Sequence, residues 1–327
     1  GGGGGGSGVG LGRGGARVGR GAHLGVGREA GAGGEGRRVS GDWAGRAGDE
    51  GWARALAGRV GARGLAGDLN IDGSIGSRTA SLRERYADVG DPGSTGNAYL
   101  TVEQVRDHVV ACSLAGIQAG FHVIGDAGAD TAVAGLQAAA EQVGSAKVIA
   151  AHHRLEHLEM ADAGAIRALA DLGVTASVQP AFDAHWGGSD GMYAARLGRE
   201  RASGMNPFAT MIEAGLALAL GTDSPVTPFA PWEAISACVN HHDPAQRISA
   251  RSAFLAHTVG GWRAAGIDDR GYLDLDQPAS FTIWSVDRRS LSEQSELPDV
   301  SPGATLPTPL RTVICGRTVF DRDGALS

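Results

Sequence analysis

The chain has 327 residues, 42% of them apolar and 20% charged, with a formal net charge of −7. Those proportions fit a soluble globular protein of one large or two medium domains, and the acidic balance argues against a broad electrostatic grip on nucleic acid or on an anionic membrane. No apolar run reaches the ~20 residues that cross a bilayer, and no charged-then-apolar leader opens the chain.

The three cysteines, Cys112, Cys238 and Cys315, are odd in number and far apart. That pattern is neither a disulfide framework nor a paired-cysteine metal knuckle, so a reducing cytoplasm is the expected setting. Lys147 is the only lysine; arginine carries almost all the positive charge, as a GC-rich coding sequence would produce.

Residues 1–63 differ in kind from the rest. They open with six glycines and continue as Gly, Arg, Ala and Val, and no apolar period shows before about Trp52. Such a stretch buries too little apolar surface to offset its ordering entropy, and glycine loses the most. It reads as a flexible tail, as an Arg-Gly arm that lacks the aromatics needed to stack on bases, or as a GC-rich frame translated out of register; the abrupt onset of order near Gly67 favours the last.

From Gly67 short apolar strands alternate with amphipathic helices. In chain order, strands are expected over 68–72, 116–123, 148–157, 174–179 and 216–223, and helices over 101–115, 127–143, 161–172, 207–214 and 232–240, followed by a helix over 250–265. Thr101 with Gln104 reads as a capping box, and Gly116, Gly144, Gly173 and Gly215 stand where helices stop. Alternation of this regularity means parallel βα units. Segments 280–285 and 311–320 read as strands of a separate small sheet, so the division is 1–63, 67–270 and 271–327.

Strand C-terminal ends point into the mouth of a βα barrel. His122, His157, Gln179 and Asp223 close four successive strands, delivering two imidazoles, an amide and a carboxylate to one face. Two His and one carboxylate are ligands that a zinc-like hydrolytic ion prefers, and they leave a position for water. Each has a plainer role available: a hydrogen-bonded structural histidine, or a turn-stabilising Asp before Ser224 and Pro225. His153 shares strand parity with His157 and is the alternative ligand. Arg154 and Glu156 read as supporting partners or a barrel-lining ion pair, and His241 with His242 as a structural helix end.

Five strings occur in one order: DGSIGSRTA (72–80), HVIGD (122–126), HRLEH (153–157), SVQPAF (177–182) and LALGTDSPVTP (218–228). Together they resemble amidohydrolase family 3, in particular its YtcJ-like and N-substituted formamide deformylase-like members, from Gly67 to the C-terminus. The resemblance implies an α/β fold: a partial TIM (β/α)8 barrel of the metallo-dependent hydrolase type, with a small C-terminal β-rich segment belonging to a composite β-domain. It further implies a divalent cofactor, zinc, held by His122 and His157, with Asp223 touching metal and water and shuttling the proton. Asp68, Asp72, Asp126, His153, Arg154, Glu156 and Gln179 are expected around that centre or its substrate.

Two departures stand out. The family's first-strand HxH pair has no counterpart, and Asp68 stands where many relatives carry a lysine. About five of eight strands are expected, hence a truncated barrel. The function expected is hydrolysis of an amide-like C–N bond in a small molecule by metal-activated water; the alternative is a catalytically inactive barrel fragment or scaffold. No nucleic-acid or membrane partner is expected, and homo-oligomerisation is left open.

Overall fold

The computed structural model describes residues 38–40, 50–66, 69–90, 93–287, 290–291 and 297–324. Asp68, and most of the expected low-complexity stretch, lie outside these residues.

A parallel sheet forms the frame. Its strands are β1 (Arg38–Ser40), β2 (Ala62–Leu65), β3 (Gln118–Val123), β4 (Arg154–His157), β5 (Thr175–Val178) and β6 (Ala217–Leu220), hydrogen-bonded in that order with β1 and β6 at the ends. Every neighbouring pair is parallel. This is an α/β partial barrel with six strands rather than the five expected. Of the strand expected over 68–72, the described residues show one isolated parallel bridge, Asn70 to His122, on the same strand β3 that pairs with β2.

Helices fill the crossovers: α1 (Glu50–Val60), α2 (Val102–Ala115), α3 (Asp126–Val143), α4 (Ser145–Ala150), α5 (Ala163–Asp171), α6 (Pro180–Trp186), α7 (Met192–Leu197), α8 (Arg199–Ser203), α9 (Phe208–Glu213), α10 (Pro231–Val239), α11 (Ala250–His257) and α12 (Val259–Ala264). The α2 capping box forms as its sequence predicts: Thr101 Oγ1 accepts from the Gln104 amide, and Gln104 Oε1 accepts from the Thr101 amide.

Three expectations need correction. The strand expected over 148–157 begins only at Arg154, because Ser145–Ala150 coils into α4 with Val148 buried. The single helix expected over 250–265 breaks at Thr258. The boundary near residue 63 is also too late. Helix α1 buries Ala53, Leu56 and Ala57 and packs against α2, and β1 and β2 flank it as a βαβ unit of the same sheet. Residues 50–63 therefore belong to the barrel.

Alternation along the strands sorts the side chains. Phe121 meets His108 of α2 edge-on, so Ala119, Phe121 and Val123 face the helix layer. Gly120 and His122 face the barrel interior, in register with Arg154 and Glu156 of β4. Close approach requires glycine at one crossing: a Cβ on Gly260 of α12 would lie 2.2 Å from the Leu218 carbonyl of β6. A small antiparallel sheet, β7 (Phe281–Ser285), β8 (Thr308–Ile314) and β9 (Arg317–Asp321), follows; the segment expected over 311–320 is a hairpin of β8 and β9.

Candidate active site

The C-terminal ends of β3 and β4 bring two imidazoles together. The rings of His122 and His157 meet edge to face with centroids 4.5 Å apart. One nitrogen of each is committed to an oxygen acceptor. His122 Nε2 donates to the Gly73 carbonyl at 3.0 Å, and His157 Nδ1 donates to Gln179 Oε1 at 2.7 Å. The Gln179 amide is oriented by its own Nε2, which donates to the Ser177 carbonyl at 3.2 Å. These bonds fix opposite tautomers, leaving the lone pair on His122 Nδ1 and on His157 Nε2.

Both rings are kept neutral. Burial pushes the His122 pKa down to about 4, helped by His157 and opposed by Gly73, Asp223 and Glu156. Burial likewise lowers that of His157, against the pull of Glu156 and Gln179. Phe182 stacks on His157 at 5.9 Å and 13°.

Asp223 follows β6 and lies within electrostatic reach of His122. Asp223 and His157 both have left-handed backbones, at φ 52° and 71°, as does Leu158 at 51°. Non-glycine residues in that region are costly and concentrate at functional sites. Among the described residues, however, no group of three His, Cys, Asp or Glu converges as a metal-binding set.

Asp72 is fully buried, and its carboxylate accepts from the amides of Ser81, Ile124 and Gly125 at 2.7–2.9 Å. It pins the DGSIGS loop to the turn after β3 and stands 3.9 Å from His122 Nε2. Desolvation raises its pKa to about 7 against those three bonds. Glycine at 125 permits this closeness, because a Cβ there would sit 2.0 Å from the Ser81 carbonyl. Asp126 serves the same junction from outside, accepting from the Arg83 amide at 2.9 Å. Arg154 and Glu156 form an ion pair at 2.6 Å on the interior face.

His153 belongs elsewhere. Its Nδ1 accepts from the Ala119 amide at 2.9 Å and its Nε2 donates to Ser113 Oγ at 2.8 Å, so both nitrogens serve the packing of α2 on β3. His153 lies on the helix-layer face with Leu155, which pairs with Phe121; it is His157 that leaves the alternation, through its left-handed backbone at φ 71°.

The sequence reading missed Glu159. It is 3% exposed; burial lifts its pKa to about 7, and it feels both Asp72 and Asp223. Its carboxyl and the Asn206 amide interact with the buried Tyr193 hydroxyl. Nothing in its spacing from His157 flags it, since the turn after β4 sets its direction.

Two neutral imidazoles with preset lone pairs suit a borderline cation such as zinc, whose histidine ligands typically donate their other N–H to a carbonyl or carboxylate. The histidine pair therefore fits a divalent ion, with Asp223 as the nearby carboxylate.

Comparison with known proteins agrees. The chain matches the family-3 model of the amidohydrolase family over residues 38–320. It is 30% identical over 226 residues to Protein LONG AFTER FAR-RED 3 of Arabidopsis thaliana, covering 66% of this chain and 37% of that protein. It is 26% identical over 267 residues to the putative amidohydrolase YtcJ of Bacillus subtilis (strain 168), covering 77% and 46%. A crystal structure of an uncharacterised metal-dependent hydrolase from Pyrococcus furiosus superposes with a TM-score of 0.56 at 30% identity, over 66% of this chain and 42% of that one. The chain thus spans less than half the length of each of these relatives. The match across 38–320, together with the barrel architecture and the paired strand-end histidines, establishes that the chain belongs to amidohydrolase family 3.

Proposed function

We propose that the protein is a metal-dependent hydrolase of amide-like C–N bonds in small molecules, using a divalent ion, zinc by the chemistry of its donors. The observation that carries this is the His122–His157 pair: edge-to-face, neutral, each with one nitrogen tied to an oxygen acceptor. His122 and His157 would hold the ion, with Asp223 beside them; when bound, such an ion polarises a carbonyl and brings the pKa of water toward ~7.

The chain's own residues do the remaining work. Gly73 and Gln179 hold the two tautomers that make the imidazoles ligands rather than acids. Phe182 walls off one face of His157 and keeps water from it. To Asp223 we assign proton transfer: its carboxylate takes a proton from the attacking water and returns it to the leaving nitrogen.

A second reading is a barrel that binds no metal and catalyses nothing. It is favoured by one observation, the absence of a three-residue metal cluster among the described residues. Incubation of the zinc-loaded protein with a panel of N-formyl and N-acyl amines separates the two. The hydrolase reading expects turnover abolished by chelation and reduced at least ~100-fold by Asp223→Ala, the scale of losing a proton-transfer group. Turnover that survives chelation, or no zinc-dependent turnover at all, contradicts it.

A further inference from the structure

Two of the contacts on the His157 imidazole come from one short segment. Gln179, the residue before α6, accepts from Nδ1 at 2.7 Å, and Phe182, one turn later, stacks on the ring at 5.9 Å. The seven residues of α6 carry no side-chain cap of their own. On its other side α6 meets the end of α10, where Asp183 is buried at 4% exposure.

Asp183 Oδ2 accepts from the His242 backbone amide at 3.0 Å and from His242 Nδ1 at 3.1 Å. Its Oδ1 lies 3.5 Å from His241 Nε2, a buried ring nitrogen with no hydrogen-bond partner among the described residues. The His241 ring is itself held, its Nδ1 accepting from the Asp243 amide at 3.0 Å and its face meeting Phe208 edge-on. A glycine pair makes room: a Cβ on Gly187 would lie 2.5 Å from Asp183 Oδ1, and one on Gly188, at φ 83°, 2.8 Å from the His242 ring.

A buried carboxylate is retained where it is fully engaged, because an unpaired one would be costly. Here the engagement reaches the candidate site through only one intervening element. We propose that Asp183 is a positioning residue: clasped by His241 and His242, it fixes α6 so that Gln179 and Phe182 hold His157 in the Nδ1–H tautomer with Nε2 free for a metal. The clasp deepens the hydrolase reading and rests on it for its purpose, yet its geometry stands apart from any turnover. Partners that orient a metal-binding histidine are typically worth ~10–100-fold in metal affinity, and Asp183 supplies that orientation at second hand.

Nitrogen-15 NMR of histidine in the full chain reads the tautomer of His157 directly, with or without metal. Asp183→Ala is expected to replace its Nδ1–H signature with an exchange-averaged mixture, while the signals of His108 and His153 stay in place. Asp183→Asn, which still accepts from the His242 amide, should restore most of it, and zinc affinity should follow the same order. Should Asp183→Ala fail to fold, His242→Ala decides instead, since it removes only the half-exposed member and should give the same, smaller change. An unaltered His157 tautomer in a folded clasp variant overturns the proposal. Failure of the wild type to bind zinc while Asp183→Ala still shifts the tautomer sinks the hydrolase reading and leaves the clasp intact.

Discussion

His153 spends both ring nitrogens on protein partners, whereas His122 and His157 each show one such bond, and at residue scale this separates a brace from the proposed ligands. Chain position marked His122 and His157 correctly as strand-end residues. It could not reject His153, because parity puts His153 and His157 on one face, and the left-handed backbone that takes His157 off that face leaves no mark in AAHHRLEH. Gly73 was invisible for another reason: a backbone carbonyl carries no side-chain signature. Buried neutral histidines also have a titration consequence. Burial pushes His108, His122 and His257 to about 4 and His153 to about 3. Their folded pKa values lie below the unfolded value of about 6.5, so the unfolded chain binds more protons between those limits. The histidine contribution is thus complete above about pH 6.5 and falls on acidification toward the folded values, by up to about 1.4 kcal/mol per pH unit for each histidine. Asp72 and Glu159, lifted to about 7 by burial, oppose it over the same range. Urea denaturation of the metal-free protein at pH 7 and pH 5 should show a smaller loss at pH 5 in His257→Gln than in wild type; an equal loss in the two would contradict the buried neutral assignment of that histidine.

Elements were legible where local chemistry decides them and obscure where packing does. The capping box at Thr101 and the left-handed stop at Gly116 are local, and α2 follows. Val148 and Ile149 are β-branched, which suggested a strand, yet α4 forms because the segment packs against α2 and α3. Helix α1 was hidden by composition: EGWARALAGRV looks like the glycine- and arginine-rich run before it, and among its described side chains Ala53, Leu56 and Ala57 mark a buried stripe. If that stripe is core, Leu56→Ala should cost about 2–5 kcal/mol, the usual range for a buried leucine. Chemical denaturation checks this, and a loss below about 0.5 kcal/mol, typical of a surface site, would return residues 50–63 to the low-complexity stretch.

For the whole molecule, strand–helix alternation was enough to give the class of fold, since parallel strands need helical crossovers. The strand count was not readable, because β1 is three residues long and β2 four, both within a glycine- and arginine-rich run. The site is likewise a property of the whole sheet. Register between β3 and β4, an acceptor from the start of α6 and a loop pinned by Asp72 must all hold before two imidazoles face each other. The proposed role of this pair is to hold a divalent metal. Competition for zinc against a chromophoric chelator at pH 7 tests it most directly, using wild type, His122→Ala, His157→Ala and His153→Ala. Wild type should bind one zinc per folded chain, with affinity unchanged in His153→Ala and lowered in either of the other two beyond the ~10–100-fold typical of removing a supporting partner. Zinc bound equally well by His122→Ala and His157→Ala, or not at all by folded wild type, would contradict it.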